Sequence, residues 1–410
     1  MPVELSDIQD ARKILQGIIN PTPIVADELL SKEIQAKVFL KAECLQKGGS
    51  FKVRGAYNKI SRLTPEEKKR GVVAPSAGNH AQGVALAAQL HRVKSTIVMP
   101  KFAPLTKINA TRGFGAQVIL HGESFDEAAA HARELQKKRG LIYVHAFDDD
   151  LIIAGQGTIG MEIVEDRPQT NVIVVPIGGG GIISGIAIAA KALLSDVRII
   201  GVEADHCASM KASLDEGKLV EAQFKPTIAD GIAIKQPAER TLRIIRKKVD
   251  QVVTVTEDEI ARGIYHCVQN NHLVVEGAGA AGVGALLAGK IKVSPNDNVC
   301  AVLCGGNIDA NLLARILEQV LVRQGRYVLL KILVGDRPGA LASLTEQVAL
   351  AGGNVIEVFH RRAMWLAPLG RVGIELLLEV RDREHAEEVI RKLEKKGYNV
   401  ELEGVGDWEE

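Results

Sequence analysis

The stretch KGGSFKVRGAY, Lys47 to Tyr57, sets two glycines and a serine immediately before Phe51 and Lys52 and follows them with helix-compatible residues. That is a loop opening into a helix, with Lys52 at the junction. A lysine held on such a backbone can direct its amine into a cleft, where partial desolvation lowers its pKa and frees the nucleophile. By itself the stretch reads more readily as the start of an ordinary helix with a solvated lysine. Three further segments shift the balance: SAGNHAQG at Ser76 to Gly83, GGGG at Gly178 to Gly181, and CGGN at Cys304 to Asn307. Each small-residue loop lies just after an apolar strand-like run or just before a helix. Side-chain-free amides at the positive end of a helix cradle a phosphate without needing arginine, so these are loops suited to a phosphorylated cofactor.

The remaining composition bounds the problem. At 410 residues the chain can bury a sizeable core and is expected to hold more than one domain. The formal charge of +1 points to no nucleic acid and no anionic membrane as partner. Apolar residues at 46%, aromatic residues at only 4% and 40 glycines suit a Gly/Ala/Val/Ile-rich α/β core. The opening MPVELSDIQDARKIL carries acids from its fourth residue and has no apolar h-region, so no signal peptide is expected. No apolar run approaches a membrane span. Five cysteines without a CxxC pair argue against a disulfide framework or a zinc site, and a reducing cytoplasm fits best. Cys44, Cys207, Cys267 and Cys300 read as plain buried thiols.

Taken in order, Ser6 is expected to cap a helix carrying Ile8, Ala11, Ile14, Leu15 and Ile18 on one stripe, ended by Pro21 and Pro23. A strand through Val38 to Leu40 delivers the chain to the lysine loop, whose helix is expected to run to about Leu63. Thr64-Pro65-Glu66-Glu67 then restarts a short helix by capping. From Gly71 to Val144, and again from Leu151 to Leu321, short apolar runs alternate with helical stretches, the pattern of βαβ units in parallel sheets. Two α/β lobes follow, with ligands expected beyond the carboxyl ends of the strands. At Arg326 the pattern changes to βαββαβ, a small ferredoxin-like unit, with Gly325 as hinge. The expected division is a catalytic domain over 1–322, whose small lobe of about 45–146 is inserted in the large lobe, and a second domain over 326–404.

In their order and spacing the four loops resemble those of the fold-type II pyridoxal-phosphate enzymes, and within them the threonine/serine dehydratase branch, over most of residues 1–320. The last unit resembles the ACT domains that bind amino acids, with the DRPGAL loop of Asp336 to Leu341 as its marker. The resemblance implies a two-lobed, tryptophan synthase β-like catalytic domain with pyridoxal 5'-phosphate as cofactor. It implies that Lys52 bonds to the cofactor aldehyde and then removes the substrate Cα proton, with Phe51 beside the cofactor. Gly178, Gly179, Gly180 and Gly181 would hold the phosphate. Ser76, Ala77, Gly78, Asn79 and His80 would line the substrate site, Asn79 also meeting the ring hydroxyl; His80 is alternatively a helix-start histidine with a local partner.

Cys304 falls where the family faces the pyridine nitrogen with a serine or cysteine. A neutral partner leaves that nitrogen largely unprotonated, which favours loss of a β-substituent over racemisation or amino transfer. Ala77 stands where serine-racemising members carry a serine. Glu203 matches the first carboxylate of the family's divalent-cation site, but Ser209 stands where an aspartate is expected and Cys207 at the intervening carbonyl position. A divalent cation, a monovalent one and none are all left open. Glu276 is placed either near the ring or as a helix-start acid. Gly339 and Asn354 occupy positions that approach an amino-acid effector, with isoleucine the first choice in a biosynthetic enzyme. The activity implied is deamination of L-threonine to 2-oxobutanoate and ammonia by a homodimer or homotetramer, with L-serine as a side substrate. The rivals are a serine dehydratase or racemase, a β-replacement or threonine synthase, and an amino-acid sensor with a vestigial catalytic half.

Overall fold

Short runs of β-branched residues make the strands, and glycine- and alanine-rich segments make the helices that cover them. The computed structural model describes residues 3–361 and 368–403. The first two residues of the expected catalytic domain and residue 404 of the expected second domain lie outside the described residues. In chain order the strands are β1 (Ile24–Ala26), β2 (Lys37–Lys41), β3 (Val72–Pro75), β4 (Ser95–Met99), β5 (Gln117–Leu120), β6 (Ile142–Tyr143), β7 (Val172–Pro176), β8 (Arg198–Ala204), β9 (Gln251–Val255) and β10 (Asn298–Val302). A six-stranded sheet runs in the order β1-β2-β10-β7-β8-β9, parallel except for β1. The inserted lobe carries its own parallel sheet, β5-β4-β3-β6. Strands β3, β4 and β7 are buried along their whole length, as expected where helices cover both faces.

The helix that carries Lys52 spans Lys52–Ser61 and lies directly on the helix Asp150–Asp166. The approach depends on glycine, because a Cβ on Gly155 would fall 2.6 Å from the Cα of Gly55. Beneath that contact is a buried set of charges. Arg54 donates through Nε to Glu43 at 2.8 Å and through its terminal nitrogens to Glu43 at 2.7 Å, Glu162 at 2.6 and 2.8 Å and Thr158 at 3.0 Å. Lys41 pairs with Glu162 at 2.6 Å and donates to the Thr22 carbonyl at 2.7 Å. Two cations meet two carboxylates with every fork position of Arg54 in use, so the helix start is fixed two residues beyond Lys52.

Some local expectations change. The first helix, Leu5–Leu15, is capped at Glu4 rather than Ser6, the Asp7 carboxylate accepting from the Glu4 N–H at 2.9 Å. The helix from Lys52 stops at Ser61 rather than Leu63, since Thr64 caps the next helix, its hydroxyl accepting from Glu67 N–H at 3.2 Å.

The chain divides into two compact units, Met1–Asp309 and Ala310–Glu410, and the helix Ala310–Arg323 lies in the second. Its partner there is strand β11 (Tyr327–Gly335). With β12 (Asn354–Arg361), β13 (Arg371–Glu379) and β14 (Asn399–Glu403) this strand forms an antiparallel sheet in the order β12-β13-β11-β14. The helices Ala340–Leu350 and Arg383–Lys395 complete the βαββαβ order. Alternate residues Val328, Leu330, Ile332 and Val334 of β11 and Val372, Ile374, Leu376 and Leu378 of β13 form its core. Among the described residues, no helix is long and apolar enough to cross a membrane.

Candidate active site

Gly48 and Gly49 take positive φ angles of 75° and 72°, which turn the chain sharply into Ser50 and Phe51. The turn is fastened to the loop after β10: Phe51 N–H donates to the Cys304 carbonyl at 3.1 Å, Gly306 N–H to the Gly49 carbonyl at 2.9 Å, and Ser50 bridges Gly305. Lys52 leaves this junction with Nζ donating to the Ala146 carbonyl at 3.2 Å. Burial lowers its pKa to about 8, against the opposing influence of Cys304 and Glu276. Its amine is therefore far closer to neutrality than a surface lysine.

Phe147, the next residue, packs on the tetraglycine turn. A Cβ on Gly179 would fall 2.2 Å from the Phe147 ring, and one on Gly181 would fall 2.9 Å from Phe147 Cβ. On the other side a Cβ on Gly178 would meet Ile232 Cα at 2.9 Å, and Gly180 is left-handed with φ 86°. No side chain other than hydrogen is accommodated at this turn, which opens the helix Gly181–Leu193 directly after β7. A bare turn at the positive end of a 13-residue helix, separated from a desolvated lysine by the two-residue segment Ala146–Phe147, fits an aldehyde cofactor with an anionic tail.

The segment that faces the pair was not foreseen from sequence. His145 Nδ1 accepts from the N–H groups of Phe147 at 3.2 Å and Asp148 at 2.8 Å, which shapes the turn after β6. The available signal was its place just past the carboxyl end of a parallel strand.

Asn79 opens the helix Asn79–Leu90. Its Nδ2 donates to Glu276 Oε1 at 2.6 Å, and its Oδ1 accepts from Asn307 Nδ2 at 2.8 Å. Asn307 also donates to the Gly48 carbonyl at 2.9 Å, tying CGGN to the lysine loop. Glu276 is buried, and its own N–H donates to the Gly305 carbonyl at 3.1 Å. Burial pushes its carboxyl up to about 7, with Asp230 adding to the rise and Asn79, Lys107 and Lys52 opposing it. It is both the residue before the helix Gly277–Leu287 and a member of the site. The Cys304 thiol is held well above its usual range by burial and by Glu276, so it is neutral.

Around the substrate side, Ser76 is buried and its hydroxyl accepts from Gly78 N–H at 3.1 Å. Ala77 is half-buried, and a Cβ on Gly78 would meet nothing, so open space lies in front of this loop. His80 turns inward: its Nε2–H donates to the Val144 carbonyl at 2.9 Å, and burial, Lys52 and His145 push its pKa down to about 3. It is a neutral histidine with a local backbone partner.

Glu203 is engaged elsewhere. Its two oxygens accept from Met210 N–H at 2.9 Å and Lys211 N–H at 2.8 Å in the first turn of the helix Ser209–Glu216. Ser209 Oγ donates to the Ile234 carbonyl at 2.8 Å, and Cys207 Sγ lies 3.9 Å from the Ile232 carbonyl. Among the described residues, no group of three or more His, Cys, Asp or Glu side chains is placed to hold a metal ion. Glu203, the expected cation ligand, caps this helix start. In the second unit Gly339, with φ 85°, and Asn354, whose Nδ2 donates to Glu379 at 3.3 Å, are both exposed.

The model of the pyridoxal-phosphate dependent enzyme family matches residues 15–305. The chain is 49% identical over 402 residues to L-threonine ammonia-lyase of Thermotoga maritima, covering 98% of this chain and 100% of that protein. It is 44% identical over 395 residues to L-threonine ammonia-lyase of Geobacter sulfurreducens, covering 96% and 98%. Among solved structures, the processed form of threonine deaminase isoform 2 from Solanum lycopersicum superposes with a TM-score of 0.72 at 39% identity, over 77% of this chain and 91% of that one. Maize serine racemase gives 0.74 at 31% identity, over 79% and 100%. With that match spanning the lysine loop, SAGNH, the tetraglycine turn and Cys304, the chain belongs to the pyridoxal-phosphate dependent enzyme family.

Proposed function

We propose that this chain is an L-threonine ammonia-lyase, converting L-threonine to 2-oxobutanoate and ammonia and acting on L-serine as a side substrate. The observation that carries the reading is the amine of Lys52, lowered to about pH 8 by burial and separated from the tetraglycine turn by Ala146 and Phe147. Similarity to two ammonia-lyases along nearly the whole chain supports the choice of substrate. When bound, pyridoxal phosphate supplies the aldehyde that takes the substrate amine and the ring that accepts the electrons of the Cα–H bond.

The protein's own part is proton handling and placement. Gly178 to Gly181 would bind the phosphate through backbone amides, and Phe51 and Asn79 would border the ring. Ser76, Gly78 and the open space before them receive the substrate carboxylate. Lys52 would take the Cα proton as a neutral amine. Cys304 would present an uncharged thiol to the ring, which would favour loss of the β-substituent over return of the proton. Ala77 offers no acid on the opposite face, so the proton is not returned there. His80, spent on Val144, walls the site and orders the loop before it.

The second unit is proposed as an amino-acid-binding regulatory domain with Gly339 and Asn354 at the effector, in a cytoplasmic homo-oligomer. Incubation with threonine should yield 2-oxobutanoate with a change in cofactor absorbance, both lost in Lys52→Ala. An unchanged rate in that variant would remove the mechanism. Purified protein that never binds a yellow chromophore would favour the sensor reading.

A further inference from the structure

We propose that the ion pair between Lys107 and Asp230 is a latch between the two lobes of the catalytic unit, holding a three-residue turn over the cofactor pocket and so setting how fast the cofactor leaves. Lys107 lies on the helix Leu105–Gly113 of the small lobe, and its side chain is only 15% exposed, while that of Asp230 is 57% exposed. Asp230 opens the 3-10 turn Asp230–Ile232 of the large lobe, 123 residues away in sequence.

That turn touches the proposed pocket at three points. A Cβ on Gly231 would fall 3.2 Å from Glu276 Oε1 and 3.9 Å from Asn79 Nδ2, and Ile232 Cα lies 2.9 Å from where a Gly178 Cβ would be. One short turn thus bears on the ring-side acid, on Asn79 and on the proposed phosphate loop together. Its rear is fixed to the large lobe, since Glu257 accepts from Thr227 Oγ1 at 2.6 Å and Ile228 N–H at 2.7 Å, and Ile232 N–H donates to Ala229 at 3.0 Å. Its front is held to the small lobe by Lys107.

Lys107 also has an electrostatic task. Besides burial, Asp230 pushes the Glu276 carboxyl up, and Lys107 and Lys52 push it down. A second pair that joins the lobes, Lys235 with Asp126 at 2.8 Å, is 46% and 67% exposed at its side chains, so its lysine, unlike Lys107, is solvated. It serves as the control.

The latch rests on the cofactor placement proposed above and not on which amino acid is turned over. The test is exchange of bound pyridoxal phosphate for radiolabelled pyridoxal phosphate in holoenzyme. Lys107→Met and Asp230→Asn should each speed exchange by about twofold to fivefold, since a pair shielded only on its lysine side contributes modestly and its loss acts mainly on the off-rate. The charge-swapped Lys107→Asp/Asp230→Lys protein should recover slow exchange, and Lys235→Met should match wild type. Added salt should speed exchange in wild type and not in Lys107→Met, a comparison that needs no further variant to fold. Wild-type exchange rates in both single variants, or a swap as fast as either, would overturn the latch. A wild type that binds no cofactor would overturn the placement and the latch together, whereas a loaded wild type making no 2-oxobutanoate would overturn only the substrate reading.

Discussion

The titration of Lys52 is open to direct measurement in the apoenzyme. Burial strips water from the ammonium form and brings the pKa from the ordinary lysine value of 10.5 to about 8. The sign is that of a cation penalised by desolvation: the neutral amine is enriched at every pH below the ordinary value, and only that form attacks an aldehyde. At neutral pH roughly a tenth of the buried amine is unprotonated, against roughly three parts in ten thousand for a solvated lysine, an advantage of about 300-fold. Rapid mixing of apoprotein with pyridoxal phosphate, followed by the absorbance of the covalent complex, reads this fraction. Nα-acetyl-lysine run alongside corrects for ionisation of the reagent. The corrected rate constant should climb about tenfold per pH unit and level off near pH 8. Glu276 opposes the shift with its carboxylate, so Glu276→Gln should move the inflection lower still. A profile that keeps climbing beyond the ordinary lysine value would put the amine in water and refute the desolvation on which the site depends.

Arg54→Met should cost about 3–5 kcal/mol in urea unfolding, because Glu43 and Glu162 remain buried with their principal partner gone, and Arg54→Lys should recover only part of it; a loss under about 1 kcal/mol would show that water reaches the cluster. Gly179→Ala must displace the Phe147 ring, at about 1–3 kcal/mol of packing, and should weaken the cofactor in a spectrophotometric titration while Gly113→Ala, in open space and without a positive φ, should not. Glu203→Gln should lower stability by about 1–3 kcal/mol whether or not magnesium is present, since one of two amides loses its acceptor; magnesium stabilisation of wild type that vanished in the variant would restore the cation role. Wild type should release pyruvate from L-serine without forming D-serine, and Ala77→Ser should introduce D-serine detectable by chiral chromatography.

What could be read ahead of the structure was local. The lysine loop, the tetraglycine turn and the Thr64 cap declare themselves within a dozen residues, because backbone freedom, capping and helix polarity are short-range properties. The alternation of apolar runs with helical stretches likewise gave the parallel sheets, and the switch at Arg326 gave the βαββαβ order. The partners of the functional groups are different in kind. Asn79 finds Glu276 across 197 residues and Asn307 across 228, and His80 finds Val144 across 64. No local pattern selects those partners, because tertiary packing decides which of many carboxylates and carbonyls is in reach.

Glu203 shows what the same limit leaves out. An acid at the end of a buried strand reads as a candidate ligand, but the helix that begins at Ser209 presents free amides to it. A buried carboxylate must be satisfied by something, and here the first-turn amides of a helix do so. Lys52 escapes this ambiguity because few backbone acceptors reach it: Ala146 takes one bond, and the remaining capacity of the amine faces a pocket bordered by Cys304 and Glu276. Sequence reading is therefore strongest for groups whose function requires that the fold leave them unspent, and weakest for groups the fold can use for itself.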